Sequence, residues 1–247
     1  MRAFGEQCKD FGGKLRSRGG GRRSYRRPVE PVDDPHERLA AAVQRLGELI
    51  ITRPLDDAPA AELAARITAL AAPLEVIEPA PKTIRFGGRN RVHHFLEHGT
   101  WPPPPPDGSY MDFDVASIVG GELNPFGMGT RFRREGDEAV GVVTVSRCFE
   151  GPPGRVHGGV VCSILDEVMG SVFRANGTAS AFTGELSVRF EQAAPIEEPL
   201  EFRAHEVRSE GRKRFLEATG ASAKGRFATA TAVFIDMKPE HLPSSVL

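Results

Sequence analysis

From Val160 to Arg174 the chain reads VVCSILDEVMGSVFR, with Val160, Val161, Ile164, Leu165, Val168, Met169, Val172 and Phe173 spread over nearly every side of a helix. A helix that is apolar all round is a buried one. Asn176-Gly177 predicts its end by an αL C-cap. Four strand-like runs follow, Phe182 to Glu191, Leu200 to Ser209, Phe215 to Ala223 and Phe227 to Met237, the last three joined by turns at Glu210-Gly211 and Lys224-Gly225. Upstream, Arg131 to Arg134 is short and polar. The valine-rich stretch Ala139 to Phe149 reads as one strand, stopped by Gly151-Pro152-Pro153-Gly154. One buried helix among antiparallel strands predicts an α+β domain, an antiparallel sheet wrapped around one central helix, over residues 114–238.

The first half reads differently. Residues 1–34 carry Arg2, Lys9, Lys14 and six further arginines up to Arg27, with Gly19-Gly20-Gly21 and no apolar h-region. This predicts a disordered basic tail in place of a secretory signal or a nucleic-acid arm. Over 35–100 a helical extension is expected. Pro35 opens a first helix with an apolar stripe of Leu39, Val43, Leu46 and Ile50, and a second spans Ala60 to Ala72, bounded by Pro59 and Pro73. Neither offers enough apolar surface to fold alone, so the pair reads as a cap or docking element. Trp101 and Pro102 to Pro106 begin a proline-rich linker at 101–113, and 239–247 reads as a C-terminal tail.

Composition enters mainly to exclude. A formal net charge of -1 over 247 residues offers no field for gathering nucleic acid. No apolar stretch reaches the ~18–20 residues of a membrane span. Cys8, Cys148 and Cys162 have neither disulfide-framework nor CxxC spacing, which predicts a reducing, cytoplasmic setting and no metal site. No GxSxG elbow of a serine hydrolase occurs.

Asp166 is the chemical anomaly. A carboxylate among Ile164, Leu165, Val168 and Met169 is costly to bury, and acids so placed are candidate bases or nucleophiles; a solvent-facing or structurally paired acid is the alternative. At the start of the same helix stands His157-Gly158-Gly159. Glycines there leave first-turn N–H groups open to a developing oxyanion, although a tight turn with a capping histidine gives the same pattern. Eight residues separate Gly158 from Asp166, roughly 12 Å at about 1.5 Å per residue. A single carbonyl is too small to meet both in one chain. The spacing therefore predicts a site shared between two subunits of a homo-oligomer, a dimer or a dimer of dimers. Cys162, four residues before Asp166, reads as a buried small hydrophobe.

The segment GPPGRVHGGVVCSILDEVMG (Gly151 to Gly170) resembles the hot-dog-fold acyl-CoA thioesterases, specifically their PaaI-like and THEM-like branch, which carries a helix-initial HGG with an Asp nine residues after the His. The resemblance runs from about Val119 to Asp236 through NPFGMG (Asn124 to Gly129), FTGELSVRFEQAAPI (Phe182 to Ile196) and EGRK (Glu210 to Lys213). It implies a hot-dog fold and hydrolysis of acyl-CoA to free acid and CoA, as in fatty acid metabolism, without a cofactor. Asp166 would be general base or nucleophile, Gly158 N–H the oxyanion donor, His157 the residue orienting that loop, and Thr183 a holder of water. Gly159 would contact substrate, and Arg155, just before the HGG turn, is a candidate partner for the CoA phosphates. Arg212 and Lys213, with Arg214 beside them, are candidates for the CoA phosphates, though basic hairpin turns are commonly just solvated. Some members carry Asn six residues before the His; Gly151 stands there in this chain. Two other readings share these residues, a hot-dog enoyl-CoA hydratase or dehydratase and a non-catalytic acyl-CoA-binding module. The Asp-before-His order and the HFP-type turn of the hydratases and dehydratases are absent.

Overall fold

The computed structural model describes residues 34–79 and 91–238. Both expected tails, up to residue 33 and from 239 onward, lie outside the described residues. Asp34, assigned to the tail, instead caps the first helix: its carboxylate accepts from His36 N–H at 2.7 Å.

Helix α1 (Pro35–Thr52) starts on a proline, whose missing N–H costs nothing in a first turn. Helix α2 (Asp57–Glu75) runs past both of its expected bounds: Pro59 lies in its first turn, and Pro73 lies so near the end that few bonds are lost. A short α3 (Arg91–His98) follows, and its Phe95 stacks on Trp101 with ring centroids 4.6 Å apart.

The proline run packs against the sheet edge. The Pro105 carbonyl accepts from Arg134 Nη1 at 2.8 Å, and Met111, buried, donates its N–H to the Phe132 carbonyl at 2.8 Å.

The sheet has six strands, β1 (Arg131–Glu135), β2 (Glu138–Thr144), β3 (Ala181–Phe190), β4 (Pro199–Glu210), β5 (Lys213–Ser222) and β6 (Gly225–Asp236), all antiparallel in the order β1-β2-β4-β5-β6-β3. The run Ala139 to Phe149 is therefore not one strand. β2 stops at Thr144 because the Ser146 hydroxyl accepts from Cys148 N–H at 3.3 Å and begins a single 3-10 turn, Arg147–Phe149. A serine offering its own hydrogen bond to the backbone competes with the ladder.

Helix α4 (Gly158–Ala175) lies across the sheet and touches every strand. Its Ile164, Leu165, Val168, Met169 and Val172 have no exposure, each contributing about 1.5–3 kcal/mol of transfer free energy. Opposite them, Ala228, Ala230 and Ala232 of β6 are small enough for close approach, and Phe234 meets Phe173 at 5.4 Å. This is the α+β hot-dog arrangement expected from the sequence, with helices preceding it.

Helix α1 meets the rest of the chain through its alanine face. Leu39, Val43 and Ile50 of the apolar stripe are 58%, 43% and 47% exposed, whereas Ala40 is buried. The inward face also carries Gln44, whose Nε2 donates to the Gly127 carbonyl at 2.7 Å. Helix α2 buries no side chain.

Candidate active site

Although α4 is buried on most sides, a stripe of Gly159, Ser163, Asp166 and Gly170 recurs at three to four residues and keeps partial exposure. Asp166 is thus not engulfed in the single chain, contrary to the expectation from its apolar neighbours: those neighbours face the sheet, and the carboxylate turns to the helix side. There its Oδ1 accepts from Thr183 Oγ1 at 2.7 Å. Glu167 turns elsewhere and accepts from Ser117 Oγ at 3.3 Å.

Thr183 is aimed by an irregularity in β3. Its register against β6 slips between Thr183 and Glu185, leaving Gly184 without a partner position. A bulge re-aims side chains, and a glycine inside a strand is the sequence signal for one. Among the described residues β3 is an edge strand, bonded only to β6, and its Phe182 and Phe190 are more than half exposed.

At the other end of α4, His157 is the N-cap and its Nδ1 accepts from Gly159 N–H at 3.0 Å. Gly159 N–H is therefore engaged within the chain by the His157 ring. Gly158 N–H has no acceptor among the described residues, and a helix N-terminus with a free donor suits negative charge. A Cβ on Gly158 would come 3.4 Å from the Phe190 ring, so Phe190 flanks that donor, a neighbour that the sequence does not announce. A Cβ on Gly151 would lie 2.9 Å from His157 Cα; the backbone that positions His157 leaves no room there for the asparagine of other members.

The basic candidates separate. Arg155 is exposed beside the His157 turn, its residue bridged to Pro195. Arg212 and Lys213 sit at the β4–β5 hairpin, next to the end of β6 that pairs with Thr183. Arg212 donates to the Asp236 carbonyl at 2.9 Å, and Arg214 is held by Asp236 at 3.0 Å and Glu206 at 3.2 Å. The hydrogen bond that Arg214 donates to Asp236 outweighs burial and holds the guanidinium above its ordinary value, so Arg214 is committed to structure. Burial pushes the Cys162 thiol up, the opposite of an activated nucleophile. Among the described residues no group of three or more His, Cys, Asp or Glu could hold a metal ion, and no helix is long and apolar enough to cross a membrane.

Residues 153–228 match the model of the Thioesterase superfamily. The Acyl-coenzyme A thioesterase THEM4 of Mus musculus is 32% identical over 94 residues, covering 37% of this chain and 40% of the relative. Its Bos taurus counterpart is 31% identical over 94 residues, covering 37% and 38%. The chain thus spans about 40% of the length of the curated relatives it matches. A crystal structure of a thioesterase superfamily protein superposes with a TM-score of 0.66 at 22% identity, covering 83% of this chain and 93% of that one. The matched segment begins just before the His157 turn and ends in β6, so it contains α4, Asp166 and Thr183, and the superposed structure has the same fold.

Proposed function

We infer that the chain hydrolyses acyl-CoA thioesters, with Asp166 and Thr183 of one subunit facing Gly158 of another. The observation that carries this reading is the Thr183–Asp166 hydrogen bond on the exposed stripe of α4, in a chain whose free helix-terminal donor lies too far along the same helix to share one carbonyl with it. A second copy related by a two-fold axis would bring one group of each kind together twice. The unpaired edge of β3 and its exposed Phe182 and Phe190 accord with a partner on that side.

The chemistry follows from the two halves. Thr183 anchors Oδ1 and leaves Oδ2 of Asp166 to take a proton from water. The water oxygen forms a bond to the thioester carbon, and the carbonyl π electrons move onto oxygen, where Gly158 N–H stabilises them. Collapse re-forms the carbonyl, breaks the C–S bond and sends CoA off as a thiolate, which takes up the proton. Attack by Oδ2 itself would give an anhydride that water then opens. A single turnover in 18O-water tests for the anhydride: label in Asp166 marks one opened at the Asp166 carbonyl, whereas general-base attack puts label only in the product acid, as does opening of the anhydride at the acyl carbon. A covalent acyl adduct on Asp166 caught by rapid quench separates those last two. His157 acts by holding the turn, and Arg155, Arg212 and Lys213 remain candidates for the CoA phosphates. The free thiols of Cys148 and Cys162 accord with a reducing cytoplasm.

The test is thiol release from a panel of acyl-CoAs that spans chain length and aromatic groups, with Asp166→Asn as control. Turnover abolished by that substitution supports the reading. Tight binding of the whole panel without thiol release overturns it in favour of a binding module, and loss of enoyl absorbance without thiol release favours a hydratase.

A further inference from the structure

A cavity of about 760 Å³ opens between the inward face of α1 and the end of the sheet formed by β2, β4 and β5. None of the candidate catalytic or substrate-contact side chains lines it. Its size lies within the roughly 300–1,000 Å³ of small-molecule sites. It exists because α1 lines it with the small Ala40 and Ala41 while Leu39, Val43 and Ile50 point away, so the roof does not fill the space beneath it.

We propose that this cavity receives the acyl chain of the substrate, which makes α1 the element that selects medium- to long-chain neutral acyl groups. This assignment rests on the acyl-CoA reading above and deepens it. The floor is apolar, built from Val142, Val143, Leu200, Phe149 and Met128. Phe149 stands between the cavity and the site: it lines the cavity, and its carbonyl accepts His157 N–H at 2.9 Å, next to the turn that carries Gly158.

The charged lining argues for a neutral occupant. The lining carries Glu37, Glu48, Glu122 and Glu201 beside Arg45 and Arg131, and Glu201 is engaged by Arg203 at 2.8 Å. Arg45 is tied to Glu48 at 2.6 Å, and Arg131 lies over the Tyr110 ring at 3.8 Å. No guanidinium cluster is left to hold the phosphates of CoA, so the nucleotide end stays outside and the acyl end enters.

The probes are uncleavable ketone analogues of acyl-CoA, with a methylene inserted between carbonyl and sulfur, carrying two-carbon and twelve-carbon acyl groups. Dissociation constants are measured by calorimetry on the full chain. For the native chain the long analogue is expected to bind at least roughly 100-fold tighter, since each buried methylene adds affinity. Ala41→Trp, on an exposed helix position that faces the cavity, should cut that ratio below about tenfold, and Ala41→Leu should give an intermediate ratio. Ala42→Trp, one residue round the helix and absent from the lining, should keep the native ratio. A native ratio near unity, or one unmoved by Ala41→Trp, overturns the assignment. Length-dependent binding that Ala41→Trp abolishes, in a chain that releases no thiol, upholds the cavity and overturns the hydrolase reading.

Discussion

At the scale of single residues, the site depends on how two polar side chains divide the work. If Asp166 takes the proton of the attacking water, Asp166→Asn should lower kcat by about 10²–10⁴-fold with the fold intact. Thr183 touches only Oδ1, so Thr183→Ala should cost less, on the order of tenfold, and Thr183→Ser should recover most of the loss. Because the two act as a unit, adding Thr183→Ala to Asp166→Asn should cost nothing further. Steady-state thiol release checks all four variants, and a double variant whose loss is the product of the single losses would show that Thr183 acts independently. Asp166 was legible in the sequence because a carboxylate amid Ile164, Leu165, Val168 and Met169 breaks the pattern around it. Its partial exposure was not, since that depends on which side of α4 the sheet covers. Nor was the division between Gly158 and Gly159, which is settled by the His157 ring taking one amide and leaving the other. The pairing with Thr183 needs the slip at Gly184, a tertiary feature of which the sequence displays only the glycine.

Elements were legible in proportion to how local their causes are. Helix α4 and strands β3 to β6 follow from periodicity and turn residues, and each appears within a few residues of expectation. The orientation of α1 could not be read, because Leu39, Val43 and Ile50 announce an apolar stripe without saying what covers it, and here the alanine face is the one that meets the domain. The junction of α4 with the proline run is set by contact as well. Gly177 has φ of 64°, and a Cβ there would lie 2.7 Å from Pro104 Cδ. Gly177→Ala therefore meets both a left-handed backbone and a wall, and it should destabilise by more than about 1 kcal/mol in urea unfolding; a loss under half of that would mean that the strap yields. The sheet edge carries a pH-dependent contribution. Burial pushes the Glu135 carboxyl up, but hydrogen bonds from Arg133 and Arg203 outweigh it and hold the carboxyl below its ordinary value. With the folded value below the unfolded one, the stabilisation is complete above the unfolded value and disappears as pH falls through the folded one. The melting temperature should therefore fall on acidification below about pH 4, and less steeply for Glu135→Gln. The difference should stay under about 1 kcal/mol because the pair is a third exposed, and parallel acid limbs would exclude Glu135 as a source.

For the whole molecule, the question is whether catalysis belongs to one chain or to two, and paired lesions answer it. Proline suits the first position of a helix and has no N–H, so Gly158→Pro removes the proposed oxyanion donor while keeping helical φ. The added ring atoms approach Phe190 at an ordinary contact distance, near 3.4 Å for the first carbon. Homo-oligomers of Gly158→Pro and of Asp166→Asn should each be nearly inactive. In a heterodimer of the two, one site joins the Gly158→Pro helix end to the Asp166→Asn carboxamide and carries both lesions. The other joins an intact Gly158 to an intact Asp166 and carries neither. Random pairing puts half of the dimers in the mixed state with one good site of two, so about a quarter of native activity should return on co-expression or on joint refolding. Separately folded proteins mixed without exchange should stay inactive. Were donor and base drawn from the same chain, every site in the mixture would keep one lesion and no activity would return, so restored turnover distinguishes a shared site from a single-chain one without reference to the shape of the interface.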